Sequence, residues 1–159
     1  MEDQWTQGRR SSAGFVSITN STGSNRILLG AIREMNDLER LLGRIYEAFN
    51  RRDVDTVLAA MHPAVDWPNG WEGGRVTGRD EVRTYWRRQW AVVDPTVIPV
   101  AFEHGSDGRI SVRVQQTVRD LSGNLLADGE VVHVYTFEDG LIKAMDIQPD
   151  PKSEVDQGR

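Results

Sequence analysis

VVHVYTFEDGLIKAMDIQ, residues Val131 to Gln148, reads as two β-strands folded back on one tight turn. His133, Tyr135 and Phe137 alternate with Val134 and Thr136, the period of two that sends successive side chains to opposite faces of a sheet. Asp139-Gly140 supplies the residue pair that tolerates the positive φ of a two-residue hairpin. Working outward, the same period predicts strands near Val97–His104, Arg109–Arg119 and Leu125–Phe137, ahead of the last at Leu141–Gln148. Asp107-Gly108 marks a second tight turn and Ser122-Gly123-Asn124 a looser reversal. Strands joined by connections this short must be antiparallel.

Further upstream the period lengthens to that of a helix. Asn36 can cap a first helix with Glu39 reaching back, and Leu38, Leu41, Leu42, Ile45, Tyr46 and Phe49 form its apolar stripe. Asn50 to Arg52 breaks the pattern, Asp53 caps a second helix, and Val54, Val57, Leu58 and Met61 make a stripe that Pro63 ends. Ala64 to Trp67 reads as a short strand before a loop carrying Trp71. Thr77 can cap a third helix, with Val82, Tyr85, Trp86, Trp90 and Val93 as its buried stripe and Pro95 closing it. The order ααβαββββ, with the helices toward the N-terminus, is an α+β class with one sheet face covered by helices.

The 159 residues suit one domain. Half of the residues from Met1 to Arg26 are Ser, Thr, Asn or Gly without apolar periodicity, so 1–34 is expected to be a flexible extension, 35–148 the folded domain and 149–159 a tail. Net charge of −5 and a pI near 5.2 leave no basic stripe, which argues against nucleic acid and anionic membrane as partners. The absence of cysteine excludes thiolate chemistry and disulfides and fits a cytoplasmic location. Ile27 to Ile32 is too short for a membrane span or signal peptide.

Phe49-Asn50-Arg51-Arg52-Asp53 at the end of the helical hairpin, His62-Pro63, Thr77-Gly78-Arg79 and the closing Phe137-Glu138-Asp139-Gly140-Leu141-Ile142 turn together resemble the nuclear transport factor 2-like superfamily in its SnoaL-like branch. The resemblance spans about Met35 to Gln148. It implies a cone-shaped curved sheet enclosing an apolar pocket against three helices, a small-molecule ligand, no cofactor, and a homodimer through the outer sheet face. Members include polyketide cyclases, ketosteroid isomerases, epoxide hydrolases and proteins with no known catalysis, so individual residues must carry the function.

In isomerase-like members a helix Tyr and a late-strand acid stabilise an enolate while an Asp moves the proton. Those positions fall on Ile45, His133 and Trp67, with Tyr46 and Asp66 one residue away. In cyclase-like members a last-strand Asp works with a His on the neighbouring strand, which His133 and Asp146 resemble. An unbroken last strand, however, puts Asp146 with Ile142 and Ala144 and opposite Met145 and Ile147, a parity that a bulge would reverse. Epoxide hydrolysis needs an Arg between two acids, and Arg113-Val114-Gln115 offers an amide instead.

Each residue also has a plainer reading. His133 is either a pocket group or a satisfied core histidine, Asp146 and Asp66 either acids or solvated carboxylates, and Tyr46 either faces the pocket or reaches a backbone carbonyl. Trp67, Trp71, Trp86, Gln115, Tyr135 and Met145 are candidate ligand contacts, although core packing explains Trp86 and a polar outer face explains Gln115. His62, His104 and His133 lack metal-ligand spacing, and no metal is expected. The expected function is binding of a small apolar molecule, with cofactor-free isomerase, cyclase or hydratase chemistry on His133 assisted by Asp146, Asp66 or Tyr46. The alternative is a non-catalytic ligand-binding or dimeric interaction module.

Overall fold

The computed structural model describes residues 22–149, with side chains from 26 to 148. Of the expected tail at 149–159 and the expected flexible extension at 1–34, residues 150–159 and 1–21 lie outside the described residues, while 22–34 are helical. Three helices, α1 (Thr22–Asn50), α2 (Val54–Ala59) and α3 (Arg79–Trp90), pack on a six-stranded curved, unclosed sheet. The strands are β1 (Met61–Pro68), β2 (Arg75–Thr77), β3 (Val93–His104), β4 (Ile110–Asp120), β5 (Leu125–Glu138) and β6 (Leu141–Pro149), in spatial order β2-β1-β6-β5-β4-β3. This is the α+β fold the patterns imply, with one added strand, β2. All pairings are antiparallel except β1 with β6, which run parallel. No helix among the described residues is long and apolar enough to cross a membrane.

The local signals hold best where they lie in tight turns. Asp139 and Gly140 adopt φ of 55° and 76°, and Gly108 and Gly123 also take positive φ. Asp53 caps α2, accepting from the Thr56 hydroxyl at 2.7 Å. Asn36, by contrast, caps nothing: α1 starts at Thr22 and runs straight through it, because Asn36 and Asp37 cost a helix little and Asp37 pairs with Arg40 one turn on. Glu39 turns instead to His104, with 2.5 Å between Oε2 and Nε2. Thr77 belongs to β2, and Gly78 precedes α3 at φ 91° without a side-chain cap. Glu81 in the first turn of α3 instead accepts the Thr77 N–H at 2.8 Å.

Three prolines end no helix. Pro63 lies within β1, while Pro95 and Pro99 lie in β3, an edge strand whose outer side needs no donors. Asn50 covers part of that bare edge. Its amide donates to the Val97 carbonyl at 2.8 Å and accepts from the Val97 N–H at 3.0 Å, acting as a one-residue strand that ties α1 to β3. Asn50→Ala strands both groups and is expected to lower the unfolding free energy by about 2 kcal/mol in urea titrations. A loss below a few tenths would show that water replaces the amide.

The core lies between the helices and the concave sheet face, with Leu42, Met61, Val65, Val82, Val112, Val114 and Ile142 fully enclosed. Along β4 the inward positions are Val112, Val114, Gln116 and Val118; Ile142 and Met145 both face inward because β6 carries a bulge between them.

Candidate functional site

The concave face does not fill completely. A cavity of about 430 Å³ remains between the helices and the sheet, within the range of small-molecule pockets. Packed aromatic rings make one side of its wall: Trp86 lies 5.2 Å from Phe49 and 5.6 Å, edge-on, from Trp67, and Tyr135 stands 6.3 Å from Trp67. Trp71, 48% exposed, stands at the mouth on the β1–β2 loop. That loop is fastened by Asn69, whose side chain bonds Glu72 twice at 2.7 and 3.0 Å, and by Glu72 pairing with Arg88 on α3 at 2.8 Å.

His133 enters this apolar wall from β5 and is 6% exposed. Its Nδ1 lies 2.8 Å from the Tyr46 hydroxyl, and the Tyr135 hydroxyl donates to Tyr46 at 2.7 Å. The Tyr46 ring stacks on the imidazole at 5.9 Å. Burial lowers the imidazole from its ordinary 6.5 to about 4 and raises both phenols well above 10, so all three groups are neutral near pH 7. Nε2 has no partner among the described residues and is left to the cavity. The result is a chain of three uncharged hydrogen-bonding groups, two of them able to exchange donor and acceptor roles.

The expected partnership of His133 with Asp146 does not form. Asp146 sits on the rung with Val134, while His133 sits with Ile147, so their side chains leave opposite faces of the sheet. The bulge carries Ile142 to the inner face with Met145, and Asp146 keeps the opposite parity to His133, bordering the cavity only where it meets Arg75. Asp146 instead reaches Arg75 at 3.1 Å, and Arg75 also donates to Asp66 at 2.8 Å. Asp66 is consequently an ion-pair partner and lines no part of the cavity. The arginine has a structural task as well. The last β1–β6 rung is Asp66 with Ala144 although both strands continue, and Arg75 spans the gap by donating to the Met145 carbonyl at 2.6 Å.

Among the expected contacts, Tyr46, Trp67, Trp71, Trp86, Tyr135 and Met145 all line the cavity, as does Ile45. Gln115 does not. It belongs to the outer face, where it donates to Asp128 at 2.7 Å, and the neighbouring Gln116 faces inward in its place. The alternation Val112, Val114, Gln116, Val118 already carried that signal. Nothing local marked Arg75, whose role depends on two strands remote in sequence.

Among the described residues one group brings metal-ligand atoms close together: His62, Glu138 and Asp139, within 4.8 Å of one another. The His62 Nδ1 accepts the Ala64 N–H at 3.0 Å, so Nε2 holds the proton and gives it to Glu138 at 3.0 Å. The nitrogen facing the acids is therefore a donor and does not suit a metal.

The SnoaL-like domain family matches residues 42–145. No protein of curated function matches the chain. Among solved structures, an NTF2-like protein of unknown function from Burkholderia pseudomallei is 28% identical, with a TM-score of 0.62 over 75% of this chain and 95% of that one. TerC, co-crystallised with polyporic acid, is 25% identical with a TM-score of 0.62 over the same shares. An LEH-like epoxide hydrolase of M. tuberculosis, 22% identical over 76% of this chain and 88% of its own, with a TM-score of 0.61, shares the fold.

Proposed function

Because the chain belongs to the SnoaL-like domain family, we propose that its cavity binds a small, mainly apolar carbonyl compound and moves a proton between carbon and oxygen without a cofactor. The observation that carries this reading is the 2.8 Å contact between His133 Nδ1 and the Tyr46 hydroxyl inside an aromatic cavity. The structure of TerC with polyporic acid supports reading the cavity as a small-molecule site.

The chemistry must avoid charge. An imidazolium is disfavoured here by the burial that holds His133 at about 4, and a phenolate by the burial that raises Tyr46 and Tyr135. A cyclic, neutral transfer satisfies both limits. With the proton on Nδ1, that N–H donates to Tyr46, Tyr135 donates to the same oxygen, and the Tyr46 hydroxyl is free to donate to the ligand carbonyl. Nε2 then takes the proton from the carbon beside the carbonyl, Nδ1 passes its proton to the Tyr46 oxygen, and Tyr46 protonates the carbonyl oxygen. An enol results, and His133 is left as its other neutral tautomer.

The test is exchange of the acidic C–H protons of 2-tetralone, a bicyclic ketone, in D₂O, followed by proton NMR. The protein is expected to accelerate exchange, and His133→Phe and Tyr46→Phe each to remove about 10²-fold or more of that rate. Exchange equal to buffer, or undiminished in both variants, sinks the acid/base reading. The weak basicity of His133 favours one rival, a binding module: it would show as quenching of tryptophan fluorescence by 2-tetralone without exchange.

A further inference from the structure

The proposed proton relay gives no task to the polar lining residue Gln116. On the inner face of β4, Val112, Val114 and Val118 are buried, and Gln116 interrupts them with an amide that lines the cavity. Gln115 one residue earlier spends its amide on Asp128, but the Gln116 side chain has no hydrogen bond to any described residue. Its rung partner on β5 is Gly129, which offers no side chain, and on β3 it is Val97, which offers no polar group. Gln89 of α3, also lining the cavity, is likewise without a partner among the described residues. Both glutamines are only half-buried, so water can reach their amides, and a ligand that displaces this water from an apolar wall has to replace its hydrogen bonds.

Register fixes the distance from the relay. His133 shares its rung with Val112, and Gln116 lies four residues further along β4. At about 3.4 Å per residue the two stand about 14 Å apart along the sheet. Val114 and Val131 form the rung between them. Two uncharged polar groups thus line the cavity with an apolar span between them. The charged lining residues, Arg75 and Asp146, are paired with each other.

We propose that Gln116 is a second polar anchor, which selects an elongated apolar ligand bearing an uncharged oxygen function, hydroxyl or carbonyl, at the end opposite the group held by Tyr46 and His133. This rests on the cavity being the small-molecule site proposed above. An amide offers donors and an acceptor but no compensating charge, so seating a hydroxyl or carbonyl against it costs less desolvation than seating an ion.

Two probes separate the possibilities: 4-hydroxybiphenyl and 4,4′-dihydroxybiphenyl, titrated by tryptophan fluorescence. The second hydroxyl is expected to tighten binding to the native chain roughly fivefold. Gln116→Leu and Gln116→Met, the latter keeping length without strong hydrogen bonding, should both lose that gain and bind the monohydroxy probe within twofold of native. Gln115→Leu, on the outer face, should keep it. Absence of any gain in the native chain, or its survival in both Gln116 variants, overturns the anchor while leaving the small-molecule reading intact. Failure of both probes to bind the native chain overturns the small-molecule reading and the anchor with it. Circular dichroism confirms that each variant is folded before its affinity is read.

Discussion

Trp86→Ala is expected to lower the free energy of unfolding by about 3–5 kcal/mol, the range for truncating a large buried aromatic. Trp86 is 2% exposed and holds together elements that are distant in sequence: Phe49 of α1 at 5.2 Å, Trp67 of β1 at 5.6 Å and Trp90 of its own helix at 5.9 Å. Removing the indole strips these contacts and joins the vacated space to a cavity already present, so collapse can recover little. Trp71→Ala is the matched comparison. Its ring stands half-exposed on the β1–β2 loop, and its loss should cost within about 0.5 kcal/mol. Urea unfolding of both variants reads the contrast. Equal small losses would mean that Trp86 lines a loosely packed wall, and the rigid aromatic pocket would have to be abandoned.

The second large effect is a loss of stability on acidification. The His133 imidazole titrates at its ordinary 6.5 in the unfolded chain and at about 4 in the folded one. The unfolded state therefore binds the proton first. Stability is unaffected by this group above pH 6.5, falls as pH drops from 6.5 to 4, and loses about 3 kcal/mol in all, at 1.36 kcal/mol per unit. Other groups titrate over the same range, so the readout is a difference. His133→Phe, an aromatic of similar size without a titrating nitrogen, should be flatter than the native chain by that amount across this window and parallel to it above pH 7. Superimposable pH profiles would show that water or local opening reaches the imidazole, which would also remove the reason for a charge-neutral relay.

The two effects concern residues whose placement was legible to different degrees. Trp86 occupies a helical stripe with Val82 and Tyr85, and both the period and the burial follow from the sequence alone. His133 shares its strand parity with Tyr135 and Phe137, which put it on an apolar face. That Tyr46, 87 residues away, would supply its hydrogen bond could not be read from either segment. The parity of Asp146 shows the reverse case. Whether it met His133 depended on a single bulge in β6, and bulges arise where one strand must follow the curvature of its neighbours. Gln115 and Gln116 differ by one step of the same alternation, which is enough to place one on the outer face and the other in the cavity.

Helix ends were the least legible features. Asn36 has the chemistry of an N-cap, yet α1 already runs into it from Thr22, because a cap residue is only an option and Asn costs a helix interior little. Pro63 and Pro95 read as helix stops, while in the fold they occupy strands. For Pro95 and Pro99 the reason is the edge position of β3, which emerges only from strand order.

By itself the sequence determined the α+β class, the hairpins at Asp107-Gly108 and Asp139-Gly140, and the aromatic character of the enclosed face. Those properties come from short-range periodicity and from turn residues that take positive φ, both local in the chain. The tertiary structure alone decided the parallel closure of β1 on β6, the Arg75 bridge where those strands part, and the Tyr135–Tyr46–His133 chain inside the cavity. Each joins residues far apart in sequence through a distance of a few ångströms, and such distances depend on curvature, register and packing acting together.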